Sequence, residues 1–102
     1  MRGINRVVIS GNVAGSAINY RRTDGGSSAL SFRIASDRHD LSGDVVTAWV
    51  KVNVYIEQLI KVCEQKLKGG GYVIVEGELM NRDGQRGQLT EVRAWEIVFI
   101  GR

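Results

Sequence analysis

Trp49, Lys51 and Tyr55 occupy alternate positions in the stretch Thr47-Ala48-Trp49-Val50-Lys51-Val52-Asn53-Val54-Tyr55. Val46, Ala48, Val50, Val52 and Val54 fall on one side of it, and Thr47, Trp49, Lys51, Asn53 and Tyr55 on the other. A period of two in β-branched and aromatic residues describes a half-buried strand whose apolar side looks inward. The outer side then carries two aromatic rings, a cation between them and two small polar groups. Such a face suits an unstacked nucleic-acid strand, since bases stack on rings while phosphates pair with cations. The same rings would also fit beneath a neighbouring element or a subunit. Arg6, Arg33 and Arg82 are the further cations expected to take phosphates alongside Lys51.

Other reactive residue types lack partners at useful spacing. His39, the only histidine, lies between Arg38 and Asp40 in a polar segment. His39 and Asp40 would make half a triad, but Cys63 falls on the apolar face of a helix, where a thiol is inert and buried. Glu76 and Glu78 share a strand face, and such pairs are ordinarily solvated or ion-paired. Gly69-Gly70-Gly71 follows a helix rather than opening one, so it is not a phosphate loop. No catalytic residues, metal or cofactor are expected, and the chain does not read as an enzyme. One cysteine excludes an internal disulfide and a Cys-based zinc cluster.

The elements that must position the aromatic face follow from the rest of the chain. Residues 4–13 read as a first strand, with Val7 and Ile9 on one side and Arg6, Val8 and Ser10 on the other. Gly11-Asn12 is a candidate bulge or bend. Residues 17–22 form a weaker extended piece, and Thr23-Asp24-Gly25-Gly26 carries the signals of a hairpin turn. Residues 28–36 give a second strand with Leu30, Phe32 and Ile34 inward and Ser31, Arg33 and Ala35 outward. The polar residues 37–44 read as a surface loop leading into the organising strand.

Between residues 56 and 67 the period changes. Ile56, Leu59, Ile60, Cys63 and Leu67 recur on one helical face, with Glu57–Lys61 and Glu64–Lys68 at i,i+4 spacing. Gly69 is expected to supply a left-handed cap. Residues 72–79 are a fourth strand, 81–87 a hairpin loop, and 88–100 a last strand whose alternation is lost after Ala94, leaving the direction of Trp95 open. The order is an all-β chain with one helix: strand, strand, strand, helix, strand, strand. That is the order of an OB-fold, a five-stranded Greek-key barrel with the helix between strands 3 and 4.

The chain has 102 residues, bounding it to a single domain, 1–102. Hydrophobic residues at 43% permit a packed core, and 13 glycines with no proline fit tight turns between strands. Fourteen basic against 11 acidic side chains give a charge of +3 and a pI near 9.4, compatible with a polyanion partner. No leader pattern and no span-length apolar run is seen, so a soluble, reducing compartment is expected.

Several segments in order resemble bacterial single-stranded DNA-binding proteins. Asn5-Arg6-Val7-Val8-Ile9-Ser10-Gly11-Asn12-Val13 is similar to their opening strand, and Phe32-Arg33-Ile34-Ala35-Ser36 to their second. Thr47-Ala48-Trp49-Val50-Lys51-Val52 before a helix is similar to their third. Lys68-Gly69-Gly70 with Val73-Ile74-Val75-Glu76-Gly77-Glu78-Leu79, and then Thr90-Glu91-Val92-Arg93-Ala94, resemble the rest. The resemblance implies sequence-tolerant binding and protection of single-stranded DNA in replication, recombination and repair. It implies Trp49 and Tyr55 as base-stacking rings, with Lys51 and Arg6 at cation positions. It further implies a homotetramer, with a dimer as the alternative, a cytoplasmic, nucleoid-associated location, and replication or repair proteins as partners.

Two departures qualify the resemblance. The loops at 37–44 and 80–87 lack the aromatic that relatives commonly carry there, so a smaller stacking platform is expected. No acidic, apolar C-terminal tail follows Gly101-Arg102, which fits a shortened chain or the short mitochondrial, phage or primosomal accessory relatives. The competing reading is a primosomal-accessory type OB protein acting mainly as a protein-interaction module.

Overall fold

Two long strands at the centre set the frame. In the computed structural model, which describes residues 1–15, 18–22, 28–85 and 87–100, β3 (Ser28–His39) pairs antiparallel with β4 (Val45–Val54) from Leu30↔Val54 to His39↔Val45. Leu30, Phe32 and Ile34 face Val52 and Val54 in the core, as their alternation requires. β1 (Val7–Val13) precedes this pair, and β2 (Asn19–Arg22) is a short strand added to the free side of β3. Helix α1 (Glu57–Lys66) follows β4, and β5 (Tyr72–Gly84) and β6 (Gly87–Ile100) complete the chain.

The sheet closes on itself. Its order is β1-β5-β6-β4-β3-β2, with an additional β1–β3 pairing that closes β1, β5, β6, β4 and β3 into a barrel. β1 changes partner at Asn12, which pairs with both β5 and β3, just after Gly11. A Cβ at Gly11 would collide with the Ala35 carbonyl, so the crossing needs glycine there. The opposite seam is a short parallel pairing of Val52–Val54 with Val92, Arg93 and Ala94. The barrel proper uses β1, β3, β4, β5 and β6, and in that count α1 lies between the third and fourth strands. Counting β2 moves the helix to a place between the fourth and fifth.

The helix buries Ile60 and Cys63 against the core, with Leu59 and Leu67 partly covered. Ile56, expected on the same face, is instead the exposed N-cap residue, because the helix begins one residue later. The left-handed residue beyond the helix is Gly70 (φ 82°), not Gly69. Leu67 leaves in an extended conformation, and a tight turn then bonds the Gly71 N–H to the Lys68 carbonyl at 3.1 Å. Burial holds the Cys63 thiol protonated, pushing it up to about 11, with the Glu64 carboxylate adding to the effect.

Both expected loops are largely strand. β3 runs on to His39 and β4 starts at Val45, so only the turn at 40–44 remains of the loop at 37–44. Likewise β5 continues to Gly84 and pairs with β6 down to Gly84↔Gly87. The result is two ribbons that outrun the barrel, an arm made by β3–β4 and a second ribbon made by β5–β6. Val46 and Ala48, expected inward, are exposed because they lie in the arm, beyond the core.

The lost alternation in β6 has a local cause. Gly77 pairs with Ala94 and Glu76 with Glu96, which leaves Trp95 as the extra residue of a β-bulge. Trp95 is exposed on the outer surface. Gly77 allows the close approach, since a Cβ there would run into the Arg93 carbonyl. The expected turn at 23–26, and Ser16 and Ala17, lie outside the described residues.

Candidate nucleic-acid interface

Cross-strand register turns the outer side of β4 into a continuous surface. Arg33 stands opposite Lys51, Ala35 opposite Trp49, and Ser31 opposite Asn53, so all share the outer side with their partners. Small Ala35 beside Trp49 leaves the indole 59% exposed. Arg33 is exposed, and Lys51 is half-buried. The row is therefore Trp49, then the Arg33–Lys51 pair, then Asn53 and Tyr55.

Tyr55 follows β4 directly and is 44% exposed. The Arg93 guanidinium carbon lies 5.5 Å from its ring centroid, a cation–π contact that orients the ring. Arg93 is itself held by Glu78, Nη1 to Oε2 at 3.6 Å. Arg93 was not among the expected site residues, although Glu91 and Arg93 alternate with Val92 and Ala94 in a readable period of two.

A groove of about 420 Å³ runs between β2, β3, β4 and the β5–β6 ribbon. Arg21, Ser31, Lys51, Asn53, Tyr55 and Arg82 line it. The expected residues Lys51, Tyr55 and Arg82 thus meet in one place, with Trp49 and Arg33 further along the same strands. Arg21 is the second residue that sequence reading missed. It sits in the short strand β2, opposite Ala29, and a four-residue strand is too brief to show its period.

Asn53 departs from expectation. Though on the outer side, it is only 4% exposed, because the ribbon crosses above it. Its Nδ2 donates to Glu91 Oε1 at 2.8 Å, and Met80 Sδ lies at 3.9 Å. Glu91 is also 4% exposed. Its Oε2 lies 4.0 Å from Lys51 Nζ and 3.7 Å from Arg82 Nε. A buried carboxylate between two cations is satisfied, where an unpaired one would be costly.

Arg6 lies elsewhere. It precedes β1 and forms an ion pair with Glu76 of β5, Nη2 to Oε2 at 2.5 Å, away from the groove-lining residues. Glu76 and Glu78 each hold an arginine, one of the two arrangements expected of them, the other being a solvated face. His39 is exposed at the end of β3. Among the described residues no group of three His, Cys, Asp or Glu could hold a metal, and no helix is long and apolar enough to cross a membrane.

Chemically, this surface offers two exposed rings six positions apart in sequence, Trp49 and Tyr55, cations between them, and a groove open to an extended ligand. Known proteins share the frame. The chain is similar to the single-stranded DNA-binding protein of Rhizobium meliloti (strain 1021), at 34% identity over 96% of this chain and 59% of that protein. It is also similar to single-stranded DNA-binding protein 2 of Chlorobaculum tepidum, at 30% identity over the whole chain and 74% of the relative. The chain thus spans somewhat over half the length of the Rhizobium protein. Among solved structures, the Plasmodium falciparum SSB complex with ssDNA superposes with a TM-score of 0.85 over 99% of this chain and 98% of that one. At 20% identity, that likeness carries the OB-fold alone. The sequence pattern of the single-strand binding protein family matches residues 4–100, and with nearly the whole barrel inside that match, the chain belongs to this family.

Proposed function

We propose that this chain binds single-stranded DNA without sequence preference, protecting it during replication, recombination and repair. The observation that carries the reading is the row of wet rings and cations on β4 and its neighbours: Trp49 at 59% and Tyr55 at 44% exposure, with Lys51 and Arg33 between them. Bases would stack on Trp49 and Tyr55, each contributing about 1–3 kcal/mol, and every base has a π-face to offer. Arg33, Lys51 and Arg82 would take phosphates, and Arg6 would do so where a strand continues around the barrel. The names of the relatives support the ligand class.

The protein would act as a homotetramer, with a dimer as the alternative, in the cytoplasm and on the nucleoid, alongside replication or repair proteins. An exposed apolar surface supports self-association: Val8, Tyr72, Val98 and Ile100 cover the outside of β1, β5 and β6. Joining several short sites raises affinity without new contacts.

Titration with oligo(dT), followed by Trp49 emission in a Trp95→Phe background, tests the reading. Emission should be quenched, and affinity should fall with salt by a log–log slope of about 0.7 per phosphate contact. A duplex of equal length should bind more weakly. Absence of oligo(dT) binding at low salt would overturn the reading in favour of a protein-interaction module.

A further inference from the structure

A buried anion in the middle of a surface that attracts polyanions calls for a reason. Glu91 shares the outer side of the sheet with Lys51, and its carboxylate lies within 4.0 Å of Lys51 Nζ and 3.7 Å of Arg82 Nε. Asn53, buried with it, fixes the other oxygen at 2.8 Å. The three charged groups sum to a single positive charge where the two cations alone would present two. Because Arg82 belongs to the ribbon and Lys51 to the barrel wall, the carboxylate also holds both heads toward one point of the groove.

We propose that Glu91 sets the single-strand selectivity of this site, an inference that rests on the single-strand reading above. By cancelling one of the three groove cations, Arg21, Lys51 and Arg82, it keeps phosphate attraction too weak to hold a polyanion unaided. Binding then depends on bases that can stack on Tyr55 and Trp49, which a duplex does not offer. Phosphate contact alone carries no such discrimination, because both ligands have the same backbone chemistry.

Glu91→Gln tests this with little change of shape, since the amide oxygen can still accept from Asn53. Oligo(dT) and an equal-length duplex are titrated against salt for the natural chain and the variant, with thermal melting to verify folding. The variant should bind both ligands more tightly, the duplex by about tenfold, with salt slopes steeper by about 0.7 for the single strand and about 0.9 for the duplex, one further phosphate contact each. The ratio of single-strand to duplex affinity should fall. A structural role for Glu91 would lower the melting temperature and leave that ratio in place.

Should the two cations repel strongly enough to unfold Glu91→Gln, the double variant Lys51→Gln, Glu91→Gln removes the repulsion. It restores a sum of one positive charge, and its ratio should return to within about threefold of the natural one. An unchanged ratio in the single variant, or a double variant that stays duplex-tolerant, overturns the role of Glu91 and leaves the single-strand reading intact. Failure of the natural chain to bind oligo(dT) overturns both.

Discussion

The two ribbons that outrun the barrel are built alike and anchored differently. The β5–β6 ribbon is tied to the barrel through Glu91, which pairs with Lys51 and accepts a hydrogen bond from Asn53, both of β4. At its root the Asn5 side chain donates to the Leu79 carbonyl and accepts from the Leu79 N–H, both at 2.9 Å. The β3–β4 arm has no such tether among the described residues. Its bonds are internal: Thr47 Oγ1 donates to Asp37 at 2.6 Å, and Asp40 Oδ1 accepts from the Ser42 and Asp44 N–H groups. A two-stranded hairpin has little independent stability in water. The tethered ribbon therefore forms a fixed wall of the groove, while the arm, with Trp49 at its base, is free to follow a ligand.

The strongest way to break this contrast is at the glycines. Gly77→Ala would push a Cβ into the Arg93 carbonyl beneath the ribbon and should cost about 1–3 kcal/mol or more in denaturant unfolding. Gly43→Ala, at the arm's tip with φ 91° and open space around it, should cost only about 1 kcal/mol. Equal losses at the two sites would remove the distinction between wall and arm.

Trp49→Ala, in the Trp95→Phe background, should lose about 1–3 kcal/mol of oligo(dT) binding with little change in melting temperature. Loss of assembly with unchanged DNA affinity would place the ring in a subunit interface instead. Asn5→Ala removes two hydrogen bonds from the ribbon's root, at about 1 kcal/mol each or less. Amide exchange should quicken at Leu79 and along the ribbon, with exchange in the arm unaltered.

The smallest effect belongs to Asp40. Hydrogen bonds, first from the Ser42 hydroxyl and then from turn N–H groups, hold its carboxyl below the usual 3.8. A depressed folded-state value means the turn's contribution is complete above pH 3.8 and is lost as pH falls through the lower value. Exchange at Ser42 and Asp44 should therefore rise only in that acid window, and Asp40→Asn should abolish the pH dependence.

What could be read in advance follows the same division. Leu30, Phe32, Ile34, Val52 and Val54 alternate strictly because one side is core and the other is water, and the structure buries all five. The helix was legible for a similar reason, with Ile60 and Cys63 on its apolar face. Residues 37–39 and 80–84 were not legible as strand, since a ribbon wet on both faces has no apolar period to display. The single-residue offset at Trp95 reverses the inside–outside order of everything after it. Of the expected site residues, the structure places Trp49, Lys51, Tyr55, Arg33 and Arg82 along one surface and Arg6 away from it. Glu91 and Asn53 were not recognised as a buried pair, because only the ribbon's path across β4 removes them from water.

The parallel seam between β4 and β6 carries a consequence for how the molecule closes. The β3–β4 and β5–β6 hairpins join sequence neighbours, whereas the seam joins Val52–Val54 to residues on the far side of the helix. Loop closure makes such a join costlier and later than either hairpin. The groove spans that seam, with Lys51 and Tyr55 on one bank and Arg82 on the other. A bound strand would act as a staple across it, adding about 2.7 kcal/mol of resistance to unfolding at a hundredfold excess over Kd. Occupancy and folding would then be coupled, and the chain would be most durable while it is loaded.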